Sequence, residues 1–334
     1  MDIQNVGAII LTHSDIEKTL VCLKAVHEQT EVPYRIVVCD NGSGNEFADE
    51  LYEKWIKIAK EHCLDEPVEV YANDRSGAKL VFLRLEENKG VGGGFNEALR
   101  FLLYDTECQA FWVMHHDTEP KNYALSALLE YVQNENAEKI GLVGTTLIYK
   151  ESDLQECAGG GVWRKWTGKA KSLDGGYDKF SHSDQKEIMK KLDYVNGASC
   201  LITRELINAI GLYDEQLFMF YEDVEYGLRA KKAGFSLTWA PGARVYHHAP
   251  HAEQLTPVLN FTEEPELTPD VDYLYMRNRF YLLRKENAFA YFLGILFIPL
   301  LLLSRNFKGQ KGRLKLIINA VMDGLKKKMN KIHG

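Results

Sequence analysis

Apolar and polar positions alternate in blocks along the first part of the chain, and the blocks predict strands and helices in turn. Short apolar runs predict strands, whereas apolar residues recurring every three or four positions predict helices. The predicted strands are residues 6–11, 34–39, 80–85 and 110–114, and the predicted helices are residues 15–28 (with Ser14 as N-cap), 94–104 and 123–134. This alternation indicates an α/β fold with a mostly parallel central sheet flanked by helices.

The middle of the chain is less regular. Apolar runs predict strands at residues 142–149, 195–203, 236–240 and 245–248, and helical spacing predicts helices at residues 223–234 and 273–284. Residues 159–177 are rich in glycine and contain Trp163 and Trp166, so we expect a flexible loop there.

The last part of the chain combines an apolar run with basic residues. Residues 288–303 carry no charge, and Pro299 interrupts them. This run is shorter than the roughly 20 residues of a membrane-spanning helix, and a buried core helix is one interpretation. The basic residues from 305 to 315 and at 326–328 favour a helix that lies in the membrane interface. We therefore predict attachment to an anionic membrane surface and not a full span.

Charge and cysteine content narrow the choice of partners and compartment. The chain has 334 residues and a net charge of −7, but residues 304–334 contain nine Lys or Arg and one Asp. The rest of the chain is therefore strongly acidic, which argues against nucleic acid as a ligand. The six cysteines are scattered without a C-x-x-C pair, which predicts reduced thiols in the cytoplasm and no zinc cluster of cysteines.

Polar residues directly follow several predicted strands. Thr12, Asp40 and His115 each stand where an apolar run ends. Ligands of open parallel sheets bind at the carboxyl ends of the strands, so we expect these residues near one site. Asp40 could be a turn former, and its functional interpretation is an acceptor for the imide N–H of uracil or thymine.

Residues 88–96 hold four glycines between a predicted strand and a predicted helix. The segment fails the dinucleotide fingerprint G-x-G-x-x-G, because Phe95 stands where glycine or alanine is needed. A phosphate or a sugar could still approach the backbone at the helix N-terminus. A glycine-rich surface turn is the alternative interpretation.

Two further groups of residues could carry chemistry. His115 and Asp117 point to the same side of an extended segment, and with His247 they could hold Mn²⁺ or Mg²⁺. Glu222 and Asp223 begin a predicted helix, where carboxylates that face outward could deprotonate a substrate hydroxyl. A charged helix start is the alternative for this acid pair. The H-E-x-x-H spacing typical of a zinc hydrolase is absent from the sequence.

Together these motifs resemble the inverting nucleotide-sugar glycosyltransferases of family 2, which have the GT-A fold. The resemblance covers residues 6–250 and rests on Thr12, Asp40, Asn41, Gly42, Ser43, Asn88, Gly90, Gly92, Asp117, Glu222, Asp223 and His247, in that order. Residues 92–95 and 221–227 are similar to bacterial galactofuranosyltransferases. Residues 117–120 and 275–278 are equally similar to rhamnosyltransferases.

The resemblance implies a role for each matching position. Asp223 would be the catalytic base, and Glu222 would contact the acceptor. Asp117 stands at the last position of the family's D-x-D metal motif, whose first Asp is His115 here, and His247 would complete the metal site. The nucleotide-sugar site would comprise Thr12, Asp40, Asn41, Asn88, Gly90, Gly92, Gly93 and His116. Trp163 and Trp166 are candidates for stacking on the acceptor, with ordinary packing as the alternative.

The implied protein is a metal-dependent hexosyltransferase at the cytoplasmic face of a bacterial cell membrane, with a homo-oligomer as an option. It would move a sugar from a UDP-galactofuranose or dTDP-rhamnose type of donor to a glycan or lipid-linked acceptor in cell-surface polysaccharide synthesis. The alternatives are a catalytically inactive nucleotide-sugar-binding or scaffolding protein and a metal-dependent hydrolase. Residues 1–250 would form the GT-A domain, with a nucleotide-binding half at about 1–120 and an acceptor-binding half at about 121–250. Residues 251–334 would form a helical membrane-associating region.

Overall fold

The computed structural model describes residues 4–134, 139–176, 184–248, 269–296, 298–299, 303, 312–326 and 329. Its strands are β1 (Val6–Thr12), β2 (Arg35–Asp40), β3 (Val68–Tyr71), β4 (Leu80–Arg84), β5 (Ala110–His115), β6 (Thr118–Pro120), β7 (Ile140–Tyr149), β8 (Gln155–Ala158), β9 (Gly160–Arg164), β10 (Lys169–Ser172), β11 (Tyr194–Val195), β12 (Ser199–Thr203) and β13 (Ser236–His247). Its helices are α1 (Ile16–His27), α2 (Asn45–Glu61), α3 (Gly90–Leu103), α4 (Ala124–Asn134), α5 (Gln185–Lys191), α6 (Arg204–Ile210), α7 (Glu222–Lys232), α8 (Pro269–Glu286), α9 (Ala288–Leu296) and α10 (Gly312–Lys326).

The central sheet has the strand order β3-β4-β2-β1-β5-β12-β7-β13-β6, and β8 pairs with β7 beside it. The strands from β3 to β5 are parallel, as are β7 and β13. Strand β12 is antiparallel to both of its neighbours, and β6 is antiparallel to β13. The predicted α/β class with a mostly parallel sheet is therefore confirmed.

Helices cover both faces of this sheet. Ala8 and Ile10 of β1 pack in one apolar cluster with residues of α1, α2 and α4, whereas Ile9 and Leu11 pack in a second cluster with residues of α3, α6 and α7. Successive side chains of a strand point to opposite faces, so a strand covered on both sides reads as one continuous apolar run. This is why β1 could be predicted from its composition.

Several predicted boundaries were wrong. Ser14 is not the N-cap of α1, because Asp15 accepts a hydrogen bond from the Lys18 N–H at 3.0 Å and Ser14 has a φ of 56°. Helix α3 begins at Gly90 and not at residue 94. The predicted strand at 195–203 is divided between β11 and β12, and the two predicted strands at 236–240 and 245–248 form the single strand β13.

The expected flexible loop at residues 159–177 was also wrong as far as residue 176, where the described part ends. Strands β9 and β10 form a hairpin there, and β11 adds a third strand on the other side of β9. A Cβ at Gly160 would lie 2.1 Å from the Tyr194 carbonyl oxygen, and a Cβ at Gly161 would lie 2.3 Å from that of Lys171. These glycines serve close strand packing and not a loop.

The C-terminal helices form their own apolar cluster against the rest of the protein. Buried side chains of α8, α9 and α10, including Phe280, Ala290 and Ile317, join Trp163 and Tyr221 in one cluster. Helix α8 contains the predicted helix at 273–284. None of the helices in the described residues is both long enough and apolar enough to cross a membrane. The basic residues of 304–311 and 327–328 lie outside the described part.

Candidate active site

The carboxyl ends of β2, β1 and β5 bring three predicted residues to one edge of the sheet. Thr12 pairs with Asp40 across β1 and β2, and Leu11 pairs with His115 across β1 and β5. The Thr12 side chain, however, is fully buried, and its Oγ1 lies 2.6 Å from Thr19 Oγ1. A bound nucleotide sugar could therefore contact the backbone of Thr12 but not its hydroxyl.

Asp40 is a buried carboxylate with one oxygen that has no partner among the described residues. Its Oδ1 accepts hydrogen bonds from the Ser43 hydroxyl and the Ser43 N–H, whereas Oδ2 is buried without a hydrogen bond. Burial raises the pKa of Asp40, against the opposing effect of the hydrogen bonds from Ser43. An unpaired buried acceptor is costly, and a donor N–H of a bound ring would satisfy it.

Asn41 and Asn88 shape the turn that begins α3. Asn41 Oδ1 accepts from the Lys89 N–H at 3.0 Å, and its Nδ2 donates to Asn88 Oδ1 at 3.1 Å and to the Gly90 carbonyl at 3.0 Å. Asn88 Oδ1 also accepts from the Gly90 N–H at 2.8 Å. These two predicted donor-site residues therefore hold backbone in place.

The glycines of α3 let this helix start pack closely against other segments. Gly90 has a φ of 75°, and a Cβ there would lie 2.2 Å from the Phe218 carbonyl oxygen. A Cβ at Gly92 would lie 3.7 Å from the Glu222 Cβ, and one at Gly93 would lie 2.7 Å from the Lys89 Cβ. The start of α3, which we predicted to bind the nucleotide sugar, thus lies next to Glu222 and Asp223.

His115, Asp117 and His247 come together at the ends of β5 and β13. One potential ligand atom from each lies within 4.8 Å of the other two. Burial lowers the pKa of His115 to about 4, so its imidazole is neutral at pH 7. Burial opposes ionisation of Asp117, but the hydrogen bond and charge of His247 outweigh it and hold that pKa well below the usual range.

This group fits a divalent cation. His115 Nε2 is buried without a hydrogen-bond partner among the described residues, and the buried Asp117 Oδ1 lies 3.5 Å from His247 Nε2, at the limit of hydrogen-bonding distance. Two imidazoles and one carboxylate suit Mn²⁺ better than Mg²⁺, which prefers oxygen ligands. The predicted His116 lies beside the group, with its N–H donating to the Leu11 carbonyl and its pKa lowered by burial.

Glu156 is a residue of this site that the sequence did not reveal. Its Oε2 lies 2.7 Å from His247 Nδ1, which leaves Nε2 3.5 Å from Asp117 Oδ1. Burial opposes protonation of His247, but the charges of Glu156 and Asp117 raise its pKa to about 10, so a cation that binds Nε2 would displace a proton. A carboxylate behind a metal-binding histidine fixes its tautomer and orientation. The two residues are 91 positions apart in the sequence, and no sequence pattern linked them.

The acid pair at the start of α7 is more buried than we expected. Glu222 is only 7% exposed, and Asp223 is half-buried. Asp223 accepts hydrogen bonds from the Val224 N–H at 2.7 Å and from the Gly197 N–H at 3.3 Å. The expectation of an outward-facing pair was therefore wrong for Glu222, because its side chain is buried where α7 packs against Gly92 of α3.

Burial gives the two acids unusual pKa values. It raises the pKa of Asp223 to about 6, while burial and the charge of Asp223 raise the pKa of Glu222 to about 8. Burial, with a contribution from the charge of Asp223, also raises the pKa of four nearby side chains: Cys157, Tyr194, Cys200 and Tyr213. At pH 7 these four are neutral, Asp223 is ionised and Glu222 is protonated.

The turn between β11 and β12 connects the acid pair with the histidine group. Its Gly197 N–H donates to Asp223, and its Ala198 carbonyl accepts from the His115 N–H at 3.0 Å. His115 in turn stacks on Phe95 of α3, with ring centroids 5.7 Å apart. The predicted base, metal and helix-start residues therefore belong to one site.

The two tryptophans lie in different environments. Trp163 is 8% exposed and packs in the C-terminal apolar cluster, which corresponds to the packing interpretation. Trp166 is 57% exposed and contacts Phe289 edge to face, with centroids 6.2 Å apart. Their role in acceptor stacking stays a prediction.

The acid pair and the group of His115, Asp117 and His247 lie at the carboxyl edge of the parallel strands, where open α/β sheets bind their ligands. The model of the family described as "Glycosyltransferase like family 2" matches residues 56–261. The match spans more than half of the chain, and the protein belongs to this family.

The chain is also similar to three known proteins. It is 29% identical over 199 residues to galactofuranosyltransferase GlfT2 of Mycolicibacterium smegmatis, covering 55% of this chain but 30% of that relative's length. It is 22% identical to dTDP-rhamnosyl transferase RfbF of Shigella flexneri, covering 85% of this chain and 81% of the relative. The structure of GalNAc-T7 with UDP, GalNAc and Mn²⁺ superimposes with a TM-score of 0.56 at 14% identity, covering 85% of this chain and 48% of that one. The GT-A fold is thereby confirmed.

Proposed function

We propose that the protein is an inverting glycosyltransferase that uses a nucleoside-diphosphate sugar of the UDP-galactofuranose or dTDP-rhamnose type. The observation that carries this proposal is the half-buried Asp223, whose pKa of about 6 makes it ionised yet more basic than an ordinary aspartate at pH 7. The names of the galactofuranosyl and rhamnosyl relatives support the two donor classes. The acceptor is a hydroxyl of a glycan or a lipid-linked sugar.

Transfer is a single displacement. Asp223 takes the proton of the acceptor hydroxyl while the acceptor oxygen forms a bond to the anomeric carbon. The bond from that carbon to the phosphate oxygen breaks, and the nucleoside diphosphate leaves with the bonding electrons. Attack from the face opposite the leaving group inverts the anomeric configuration. Protonated Glu222 donates a hydrogen bond to the acceptor beside the base.

His115, Asp117 and His247 are the residues that hold Mn²⁺ in this proposal, supported by their grouped ligand atoms. A bound cation would offset the negative charge that builds on the departing diphosphate. Glu156 keeps Nε2 of His247 turned toward Asp117. Asp40 Oδ2 accepts the imide N–H of uracil or thymine, which satisfies its unpaired buried oxygen.

Attachment to the cytoplasmic face of a membrane is a separate part of the proposal. Exposed Trp166 and Phe289 contact each other, and Phe292 and Leu296 of α9 are 63% and 72% exposed. Arg164 and Lys165 are exposed beside Trp166. Aromatic and aliphatic side chains next to basic ones suit the headgroup region of an anionic bilayer.

The Asp223→Asn variant tests the enzyme proposal. We expect it to lower sugar transfer at least 100-fold, because it removes the base, while UDP and dTDP still raise the melting temperature as in the wild type. Glu205→Gln is the matched control, because Glu205 is an exposed acid in the first turn of another helix, α6. Full turnover by Asp223→Asn would refute the base assignment. Nucleotide binding without transfer by the wild type would favour the inactive binding protein, and sugar release without an acceptor would favour a hydrolase.

A further inference from the structure

The residues just before the acid pair adopt an unusual backbone. In the segment 217–221, here called the pre-helix loop, Phe218, Phe220 and Tyr221 have φ values of 61°, 68° and 69°. Such values are uncommon for residues other than glycine, and they persist only where the surrounding structure holds them. The loop leads directly into Glu222 and Asp223.

Asn278 of α8 supplies much of that support. Its side-chain Nδ2 lies 2.8 Å from each of three carbonyl oxygens of the pre-helix loop, those of Leu217, Met219 and Phe220. Asn278 is fully buried. The two hydrogens of one amide NH₂ group are therefore shared among three carbonyls of the loop, and a buried carbonyl that loses its donor is costly.

Arg277 orients this amide. Its Nε donates to Asn278 Oδ1 at 2.9 Å, so the NH₂ end of the amide faces the loop. Its Nη2 donates to the Leu217 carbonyl at 3.0 Å. Arg277 is also fully buried, which makes its guanidinium one of the most enclosed charged groups in the described residues.

The pre-helix loop also contacts the helix start on the donor side. The Phe218 carbonyl accepts a hydrogen bond from the Val91 N–H at 2.6 Å, and Gly90 packs directly against the same carbonyl. The loop therefore lies between α3 and α8, and its geometry sets how the acid pair stands relative to the glycine-rich helix start.

We propose that Arg277 and Asn278 are positioning residues for the acid pair: by binding the carbonyls of the pre-helix loop, they fix Glu222 and Asp223 at the start of α7 against the start of α3. This inference rests on the proposed function. It makes α8, from the region predicted to associate with membranes, a part of the active site. A displacement of about 1 Å at such a site can cost 100-fold in rate.

Asn278→Asp tests the proposal with nearly unchanged shape. The carboxylate has no donors and repels the three carbonyls, so we expect kcat to fall about 100-fold while the affinity for UDP changes less than twofold. We expect a smaller fall in kcat for Arg277→Lys, because the lysine side chain still has an N–H donor. The control is Leu282→Ala, which removes a fully buried apolar side chain of the same helix but none of the hydrogen bonds to the loop carbonyls. It should lower the melting temperature at least as much and keep kcat within threefold.

A second measurement does not depend on activity. The folded acid pair holds its protons more tightly than the unfolded chain, so the pair's contribution makes the melting temperature fall as pH rises from about 4 to about 8. To isolate this contribution, the pH dependence of the melting temperature is measured for the wild type and for each variant, with and without the substitutions Glu222→Gln and Asp223→Asn. The difference between the two measurements is the contribution of the pair. Asn278→Asp should reduce it at least threefold by letting water reach the pair, whereas Leu282→Ala should leave it intact.

The outcomes separate the two proposals. A wild type without transfer activity refutes the proposed function, and the pH dependence of stability then still tests the positioning role. Wild-type kcat and an unchanged pH dependence in Asn278→Asp would refute the positioning role, as would equal activity losses in Asn278→Asp and Leu282→Ala. If Asn278→Asp does not fold, Asn278→Ser, whose side chain keeps one donor, is compared with Leu282→Ala and the wild type in its place.

Discussion

Neighbouring carboxylates at the start of α7 take different protonation states because their surroundings differ. Asp223 accepts hydrogen bonds from two backbone N–H groups, which favours its ionised form, whereas Glu222 Oε2 has no partner among the described residues. The pair therefore titrates in two steps, near pH 6 and near pH 8. At neutral pH one member accepts a proton and the other can donate a hydrogen bond.

This difference predicts the pH profile of transfer. We expect kcat/KM to rise with pH through about 6, as Asp223 loses its proton, and to fall above about 8, as Glu222 loses the proton that it donates to the acceptor. Glu222→Gln should keep the rise near 6 and lose the fall near 8, because glutamine donates at every pH. Initial rates from pH 4 to 10 check this. If kcat/KM of the wild type instead rose near pH 4, the base would be a water-exposed carboxylate, which would contradict its assignment as the buried Asp223.

Individual residues were predictable where their neighbours in sequence set their role. Asp40, at the end of a strand, and Asp223, at the start of a helix, lie where the pattern put them. The hydroxyl of Thr12 could not be placed, because strand periodicity does not say that Thr19 of α1 lies beneath it. Glu156 was missed for the same reason, since its partner lies on a distant strand.

At the scale of elements, strands β8 and β13 are what bring a second acid to the histidine group. They flank β7 on either side at its end, which places Glu156 behind His247. Without the Glu156 carboxylate, the His247 imidazole would lose the partner that orients it. We therefore predict a measurable loss of metal affinity when Glu156 is neutralised.

Glu156→Gln should weaken Mn²⁺ binding 10- to 100-fold, because the uncharged amide makes His247 a weaker ligand. Calorimetric titration of the purified protein with MnCl₂ measures this without turnover. Glu119→Gln is the matched control, since Glu119 contacts the neighbouring His248 at 3.1 Å. Equal Mn²⁺ affinities of the two variants would contradict the role of Glu156, and the absence of Mn²⁺ binding by the wild type would contradict the metal site itself.

The elements that sequence patterns identified best were those buried on both faces or on one clear stripe. Strands β1, β2, β4 and β5 and helices α1, α4 and α8 were predicted within a few residues. Helix α2 and strand β3 were not predicted. The hairpin of β9 and β10 was taken for a loop because glycine marks both turns and tight strand packing, and only the partner strand distinguishes them.

At the scale of the whole molecule, apolar residues of two distant segments form one exposed surface. Trp166 lies between β9 and β10, whereas Phe289 and Phe292 belong to α9. The sequence pointed to the C-terminal run alone, because nothing in the pattern of residues 159–177 linked Trp166 to it. The division of the chain at residue 250 stays a prediction.

This surface predicts membrane binding that can be removed without deleting a helix. The double variant Trp166→Ser, Phe292→Ser should bind vesicles containing phosphatidylglycerol at least tenfold more weakly in a sedimentation assay, because it loses the aromatic contact with the headgroup region. Val32→Ser, at a site 60% exposed elsewhere on the protein, is the control. Unchanged vesicle binding together with a smaller oligomer in light scattering would show that the surface joins copies of the chain instead.

The hydrogen bonds from Asn278 to the pre-helix loop have a consequence for protein engineering. Family members with different donors invite chimaeras in which one catalytic domain replaces another, and the predicted boundary at residue 250 is the obvious crossover point. A crossover there would join the acid pair of one parent to the Arg277 and Asn278 of the other, across three hydrogen bonds that must match. Functional exchange therefore requires a crossover beyond α8, so that a transplanted acid pair keeps the helix that fixes it.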